Sequence, residues 1–207
     1  MWNFVGRQND FQGNYNNLKG NWVSGIKIID SIRLGNQEKL DDDSLNNKAR
    51  NTYYFLPLLL GLIGLYFLYK KNLRLSWILL LLFLFTGLAL KVYLNERPFE
   101  PRERDYALVG SFYVFCIWIG LGAIFLIEEF KKYVKNKWSQ PIILFLLFIS
   151  VPFLMAYQNW DDHDRSNRYT AQSIAKSYLQ SIQKDVGAMI FTIGDNDTFA
   201  LWYAQDI

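Results

Sequence analysis

Asn95–Gly122, NERPFEPRERDYALVGSFYVFCIWIGLG, decides how the chain must be read. It packs Glu96, Arg97, Glu100, Arg102, Glu103, Arg104 and Asp105 into a short loop. Apolar runs long enough to cross a bilayer lie on both sides of that loop, so the charges fall where the chain would re-enter lipid. Ionisable residues are tolerated at such a boundary when they are solvated, paired or functional. Both signs occur together here, which permits pairing.

Working outward, the apolar runs are Tyr53–Tyr69, Leu75–Leu94, Tyr106–Ile127 and Pro141–Tyr157. A helix rises about 1.5 Å per residue and must cover roughly 30 Å of hydrocarbon, so each run predicts one membrane span. Pro57, Gly61 and Gly64 interrupt the first run. Membrane helices tolerate Pro and Gly, and small residues let neighbouring helices approach closely. Aromatics make up 17% of the 207 residues, and many stand at the ends of these runs, where Trp and Tyr prefer the lipid–water boundary. Net charge is only +3, which gives no strong field for nucleic acid. Cys116, the single cysteine, lies inside the third run. It can form no intrachain disulfide and reads as a small buried apolar side chain.

Lys70, Lys71 and Arg74 follow the first run without an acid, and Lys131, Lys132, Lys135 and Lys137 follow the third. Excess Lys and Arg mark cytoplasmic loops. Four spans then place the N-terminal segment, the Arg97–Asp105 loop and the C-terminal region together on the outer face.

The flanks are polar. Within Met1–Thr52, Val23–Leu34 predicts a short amphipathic helix with Ile26, Ile29 and Val23 on one face. Asp41, Asp42 and Asp43 form an exposed acidic turn, with cation binding as the alternative. After the last span, Tyr169–Gln183 suits a helix, Ala188–Ile193 a buried strand, and Phe199–Asp206 a second helix beyond the turn at Gly194–Thr198. Helix, strand, turn, helix is how a small α/β domain begins. The expected fold class is mainly α: a polytopic membrane bundle of four spans followed by the start of a small soluble α/β region. Its divisions are 1–52 as an outer-face polar segment, 53–157 as the transmembrane region, and 158–207 as a truncated outer-face α/β domain. Met1 is followed by no basic n-region or cleavable apolar segment, and the chain stops within a helical pattern at Gln205-Asp206-Ile207. It reads as an internal fragment.

Four groups carry candidate chemistry. Arg102 and Arg104 offer planar, permanently charged forks for a phosphate, with Glu103 or Asp105 beside them to orient a hydroxyl or act as base. The alternative is an interfacial salt-bridge network. Asp161, Asp162, His163 and Asp164 bring three carboxylates and the only imidazole together. Consecutive helical positions face different ways, so few of them can share an ion. Asp161 with Arg165 and Asp164 with Arg168 stand four apart and would pair on a helix. One histidine excludes a histidine-rich zinc site. Asp195 and Asp197 follow the predicted strand, where α/β proteins place ligands. They can hold a divalent cation against a diphosphate, or Asp197 or Thr198 can cap a helix. Arg7, Asn9 and Asp10, with Trp2 and Trp22 nearby, form either a sugar-binding patch or a loop held by side-chain hydrogen bonds. No Gly-rich phosphate loop is present.

At FVGRQND, NNKARNTYYFLPLLLGLIG, EPRERDYALVGSFYVFCIWIGLG, NWDDHDRSNRYTA and GDNDTFALWYAQD, the chain resembles a family of large bacterial membrane proteins described as of unknown function or as protein O-mannosyltransferase-like. That family resembles the GT-C glycosyltransferases and has a vertebrate relative that is a protein O-mannosyltransferase. The resemblance implies a polyprenyl-phosphate-linked sugar as donor, a protein as acceptor, and a bacterial inner membrane with both ends of this chain on the periplasmic side. It also implies further spans before this region, with the catalytic acid in an earlier outer loop, so no residue here corresponds to it. Ala200 stands where the family usually has proline, and Arg97-Pro98 replaces a more neutral pair. A non-catalytic membrane-anchoring or docking module is the competing reading.

Overall fold

The computed structural model describes residues 1–11, 16–95, 104–134, 138–182 and 187–205. They divide into two compact units, Met1–Asp162 and His163–Ile207.

The first unit begins with a single helical turn, α1 (Trp2–Val5). Next, β1 (Gly6–Arg7) pairs antiparallel with β2 (Asn51–Thr52), Gly6 opposite Thr52 and Arg7 opposite Asn51. Gly6 has φ 129°, and a Cβ there would lie 2.4 Å from the Asn51 carbonyl oxygen, so only glycine fits the crossing. Between the strands lie α2 (Lys27–Leu34) and α3 (Asp42–Leu45).

Helix α2 departs from the sequence reading at both its start and its face. It starts at Lys27 rather than Val23 because the Asp30 carboxylate accepts from the amides of Ser24 and Gly25 and from the Ser24 hydroxyl. Those bonds hold Ser24–Ile26 as a turn, with Gly25 at φ 84°. The inward face is Asp30 and Leu34, whereas Ile28 and Ile32 are 73% and 83% exposed and Ile29 is also exposed. Of the expected isoleucines, Ile29 lies outward and Ile26 is half-buried. Val23 is buried, as expected, but from the loop.

Tyr53, the first residue of the expected first span, is buried beneath the strand pair and donates its amide to the Val5 carbonyl. Tyr54 and Phe55 occupy the left-handed region, with φ 53° and 61°. The helix therefore starts later, as α4 (Leu56–Lys71), and has 16 residues. That is about 24 Å, short of the roughly 30 Å of a bilayer core. The chain continues as α5 (Leu73–Leu84), a π-helical turn at Phe85–Ala89, and α6 (Leu90–Leu94). A 3₁₀ turn at Asp105–Leu108 leads into α7 (Val109–Tyr133). Finally α8 (Ser139–Phe148) runs through a second π-helical turn, Ile149–Phe153, into α9 (Leu154–His163). Pro152 lies in that turn. It brings no N–H to the helical ladder, a common cause of such a local irregularity. Among the described residues three continuous helices, Leu73–Leu94, Tyr106–Tyr133 and Ser139–His163, are long and apolar enough to cross a membrane. The expected set was four of comparable length, and α4 falls short because its first turn is taken up by the strand junction.

Helices α4 and α7 meet through glycines. A Cβ on Gly64 would lie 1.7 Å from the Trp118 carbonyl oxygen, and one on Gly122 2.1 Å from that of Leu60. Their contacts advance together, from Gly61 against Phe115, through Phe67 against Phe125 at 5.4 Å, to Lys71 and Glu128 at 3.7 Å. The two helices thus run parallel, and the intervening Leu73–Leu94 helix returns the chain. Phe4 reaches into this packing, 4.1 Å from the Phe115 ring, and forms one core with Leu68, Val114, Phe115 and Trp118.

The second unit is helical in its described residues. Helices α10 (Thr170–Gln180) and α11 (Asp195–Gln205) pack through buried Ala175 and Leu201. Residues 187–193 form no strand. The expected strand at Ala188–Ile193 has no neighbour among the described residues to complete a ladder, and its apolar side chains are exposed.

Candidate functional site

The richest polar geometry is a clamp between the start of the chain and the end of α9. Arg7 stands on β1, half-buried, and uses its whole guanidinium. Nε donates to the Ala49 carbonyl at 3.0 Å, Nη1 meets Asp10 Oδ1 at 2.8 Å, and Nη2 meets Asp162 Oδ2 at 3.2 Å. One turn back on α9, Asn159 accepts from Asn51 Nδ2 at 2.9 Å and donates to the Tyr53 hydroxyl at 2.6 Å. Gln158 Oε1 accepts from the Thr52 amide at 2.7 Å, and Asp161 pairs with Lys48 at 3.1 Å on the exposed rim. Burial pushes the Tyr53 phenol above its ordinary pKa, against the Asn159 hydrogen bond and the nearby Arg7 charge.

The loop after Arg7 is held the same way. Gln8 is buried. Its amide nitrogen donates to the Asn17 carbonyl and Gln37 Oε1, and its oxygen accepts from the Asn21 amide and side chain. Asn9 Oδ1 accepts from the amides of Phe11 and Gly20. Trp2 donates to the Gly20 carbonyl, while Trp22 lies under the Arg33 guanidinium at 3.7 Å. These aromatics are engaged with the chain itself.

The structure brings Arg7, Asp10, Asp161 and Asp162 to one place, all within the first unit. His163 and Asp164 belong to the second. Helix α9 stops at His163, and Asp164 Oδ1 accepts from the Ser166 amide in a tight turn. The four-residue spacing from Asp164 to Arg168 is therefore not helical, and Asp161 pairs with Lys48 across the fold rather than as the first member of a helical pair. Arg102 and Glu103 lie outside the described residues. Arg104 is half-buried and precedes the 3₁₀ turn that Asp105 opens. Asp195 and Asp197 are exposed in the first turn of α11. That helix starts before Asp197 and Thr198, so neither is its N-cap. Among the described residues, no group of three or more His, Cys, Asp or Glu side chains is placed to hold a metal ion.

Sequence reasoning missed Asp30 and Arg50. Both stand beside a pocket of about 470 Å³ between α2 and β2. Arg50 falls within the NNKARNTYYF stretch, just before the first apolar run.

Residues 171–207 match the family model described as TMEM260-associated domain 2. No curated protein and no solved structure matches the chain. The matched stretch contains α11 and nearly all of α10. This part of the chain is thus similar to a domain of TMEM260-type membrane proteins, in keeping with the three apolar helices before it.

Proposed function

We propose that the chain is part of a membrane glycosyltransferase, protein O-mannosyltransferase-like, that moves a sugar from a polyprenyl-phosphate donor to a protein hydroxyl. The observation that carries this reading is the polar clamp of Arg7, Asn51 and Asp162, built at one end of membrane-length apolar helices. A lipid-linked donor presents its phosphate and sugar at that level. The sequence resemblance and the match over residues 171–207 point the same way.

In this reading α4 makes a fourth crossing beside α7, its shortness met by local thinning and by Lys70 and Lys71 reaching to the headgroups. Both ends of the chain then lie on the periplasmic side of a bacterial inner membrane. An acceptor hydroxyl attacks the anomeric carbon, the bond to the donor phosphate breaks, and the hydroxyl proton passes to a carboxylate base. Arg102 and Arg104 hold the departing phosphate, and this chain assigns no catalytic acid. The test uses membranes from cells carrying the complete gene, labelled lipid-linked mannose and an acceptor protein. Labelled product that is lost in Arg102→Ala, with membrane insertion unchanged, is the expected result. Full activity of that variant removes the donor-phosphate role.

A second reading, a non-catalytic anchoring or docking module, is favoured by the complete engagement of Arg7 within the chain. Donor binding by the purified protein argues against it, and neither binding nor transfer supports it.

A further inference from the structure

The arginines of the first unit differ in how their charge is met. Arg7 has two carboxylates and a carbonyl. Arg33 lies over the Trp22 ring and donates to the Trp22 carbonyl. Arg50 has neither. Its Nη1 is buried without a hydrogen-bond partner, and among the described residues no carboxylate stands within ion-pair distance of its guanidinium. Asp30 is nearby in the same pocket, but its oxygens are taken by Ser24 and Gly25. Burial pulls the Arg50 guanidinium below its ordinary pKa, and the Asp30 charge only opposes this. An arginine cannot shed its proton to escape that cost. A bound anion relieves it.

Arg50 lines the pocket together with Lys27, Asp30, Ser31, Gln37 and Thr52. Hydroxyl and amide groups complete the wall. The volume of about 470 Å³ lies within the range of small-molecule sites. It has room for an oxyanion and for the group that carries it. A guanidinium fork matches phosphate oxygens in pairs.

We propose that this pocket binds a phosphate group, with Arg50 as its anchor. The inference rests on the Arg50 pocket alone and goes beyond the transferase reading, which places its donor phosphate on Arg102 and Arg104. The phosphate can come from a soluble phosphoester or from a lipid headgroup.

The test uses the protein in maltoside micelles, which contain no phosphate, titrated with inorganic phosphate and with a hexose 1-phosphate, and separately in micelles doped with phosphatidic acid. Binding is read by calorimetry and by melting temperature. Wild type binds at least one probe. Arg50→Gln weakens that binding by about tenfold or more, the loss expected for a charge-assisted hydrogen bond, and Arg50→Lys retains part of it. Binding of the soluble probes identifies a free phosphoester, and binding confined to the doped micelles identifies a headgroup. Without any probe, Arg50→Gln melts at or above the wild-type temperature, because an uncompensated charge is removed. No binding in either arm, equal binding by Arg50→Gln, or a probe-free melting temperature lowered by Arg50→Gln overturns the proposal.

Discussion

In the helices from Leu56 onward, the closest contacts are backbone against backbone. Gly64 and Gly122 let α4 and α7 approach until a single added carbon would collide with a carbonyl. In the segment before Leu56, the decisive contacts run between amides, carboxylates and a guanidinium. In the proposed membrane setting the difference follows from solvent. Lipid tails are as apolar as leucine, so helices in lipid gain by close packing rather than by burial from water. A short polar segment lacks the apolar area for a core and is held instead by hydrogen bonds among its buried polar groups, with Arg50 Nη1 as an exception.

The comparison breaks first at the glycine seam. Gly64→Leu is expected to cost more than about 3 kcal/mol, because the clash is with backbone that has no rotamer to yield. Thermal unfolding in detergent should show loss of the cooperative transition, and a normal transition would mean that α4 and α7 are not in contact. In the polar segment, Asp30→Ala orphans two amides and a hydroxyl, a loss of about 3 kcal/mol. Ile32→Ser on the outward face of the same helix should stay within about 0.5 kcal/mol.

Two ion pairs sharpen the contrast further. A double-mutant cycle on Arg7 and Asp162, with side chains 15% and 21% exposed, should give a coupling of about 1–2 kcal/mol. The same cycle on Lys48 and Asp161, 62% and 71% exposed, should give about 0–1 kcal/mol and vanish in high salt. Equal couplings would mean that the clamp is no more buried than its rim. The smallest effect is confined to alkaline pH. The raised pKa of Tyr53 makes the folded state hold its phenol proton longer than the unfolded chain. Its contribution is complete below the ordinary value of 10.0 and is lost as pH rises through the folded value. Denaturant midpoints of wild type should therefore fall more steeply above that pH than those of Tyr53→Phe.

The same physics separates what the sequence makes legible from what it hides. Apolar length and a charged loop were enough to locate the starts of Leu73–Leu94, Tyr106–Tyr133 and Ser139–His163 within two residues, although the last two helices run six residues beyond the apolar runs, and the small residues of the first run marked a close helix contact without naming its partner. The late start of α4 was hidden, because it depends on Tyr53 pairing with Val5 across the fold. Topology already put Arg7 and Asp10 on the same face as the Asp161–Asp162 segment, but the individual pairings of the clamp were hidden, 155 positions apart for Arg7 and Asp162 and 106 for Thr52 and Gln158. Helix α2 misled in part, since Val23 is buried and Ile26 half-buried as read, whereas Ile29 is exposed. Its isoleucines have the spacing of a core face, but Asp30 and its turn direct the opposite side inward.

The proposed topology puts the polar segment and the Lys71 end of α4 on opposite sides of a membrane. Single cysteines at Asn36 and Lys71, introduced on a Cys116→Ser background, test it with a membrane-impermeant thiol reagent on intact cells. The account predicts labelling of Asn36→Cys without permeabilisation and of Lys71→Cys only after it. Equal labelling of both positions before permeabilisation would contradict it.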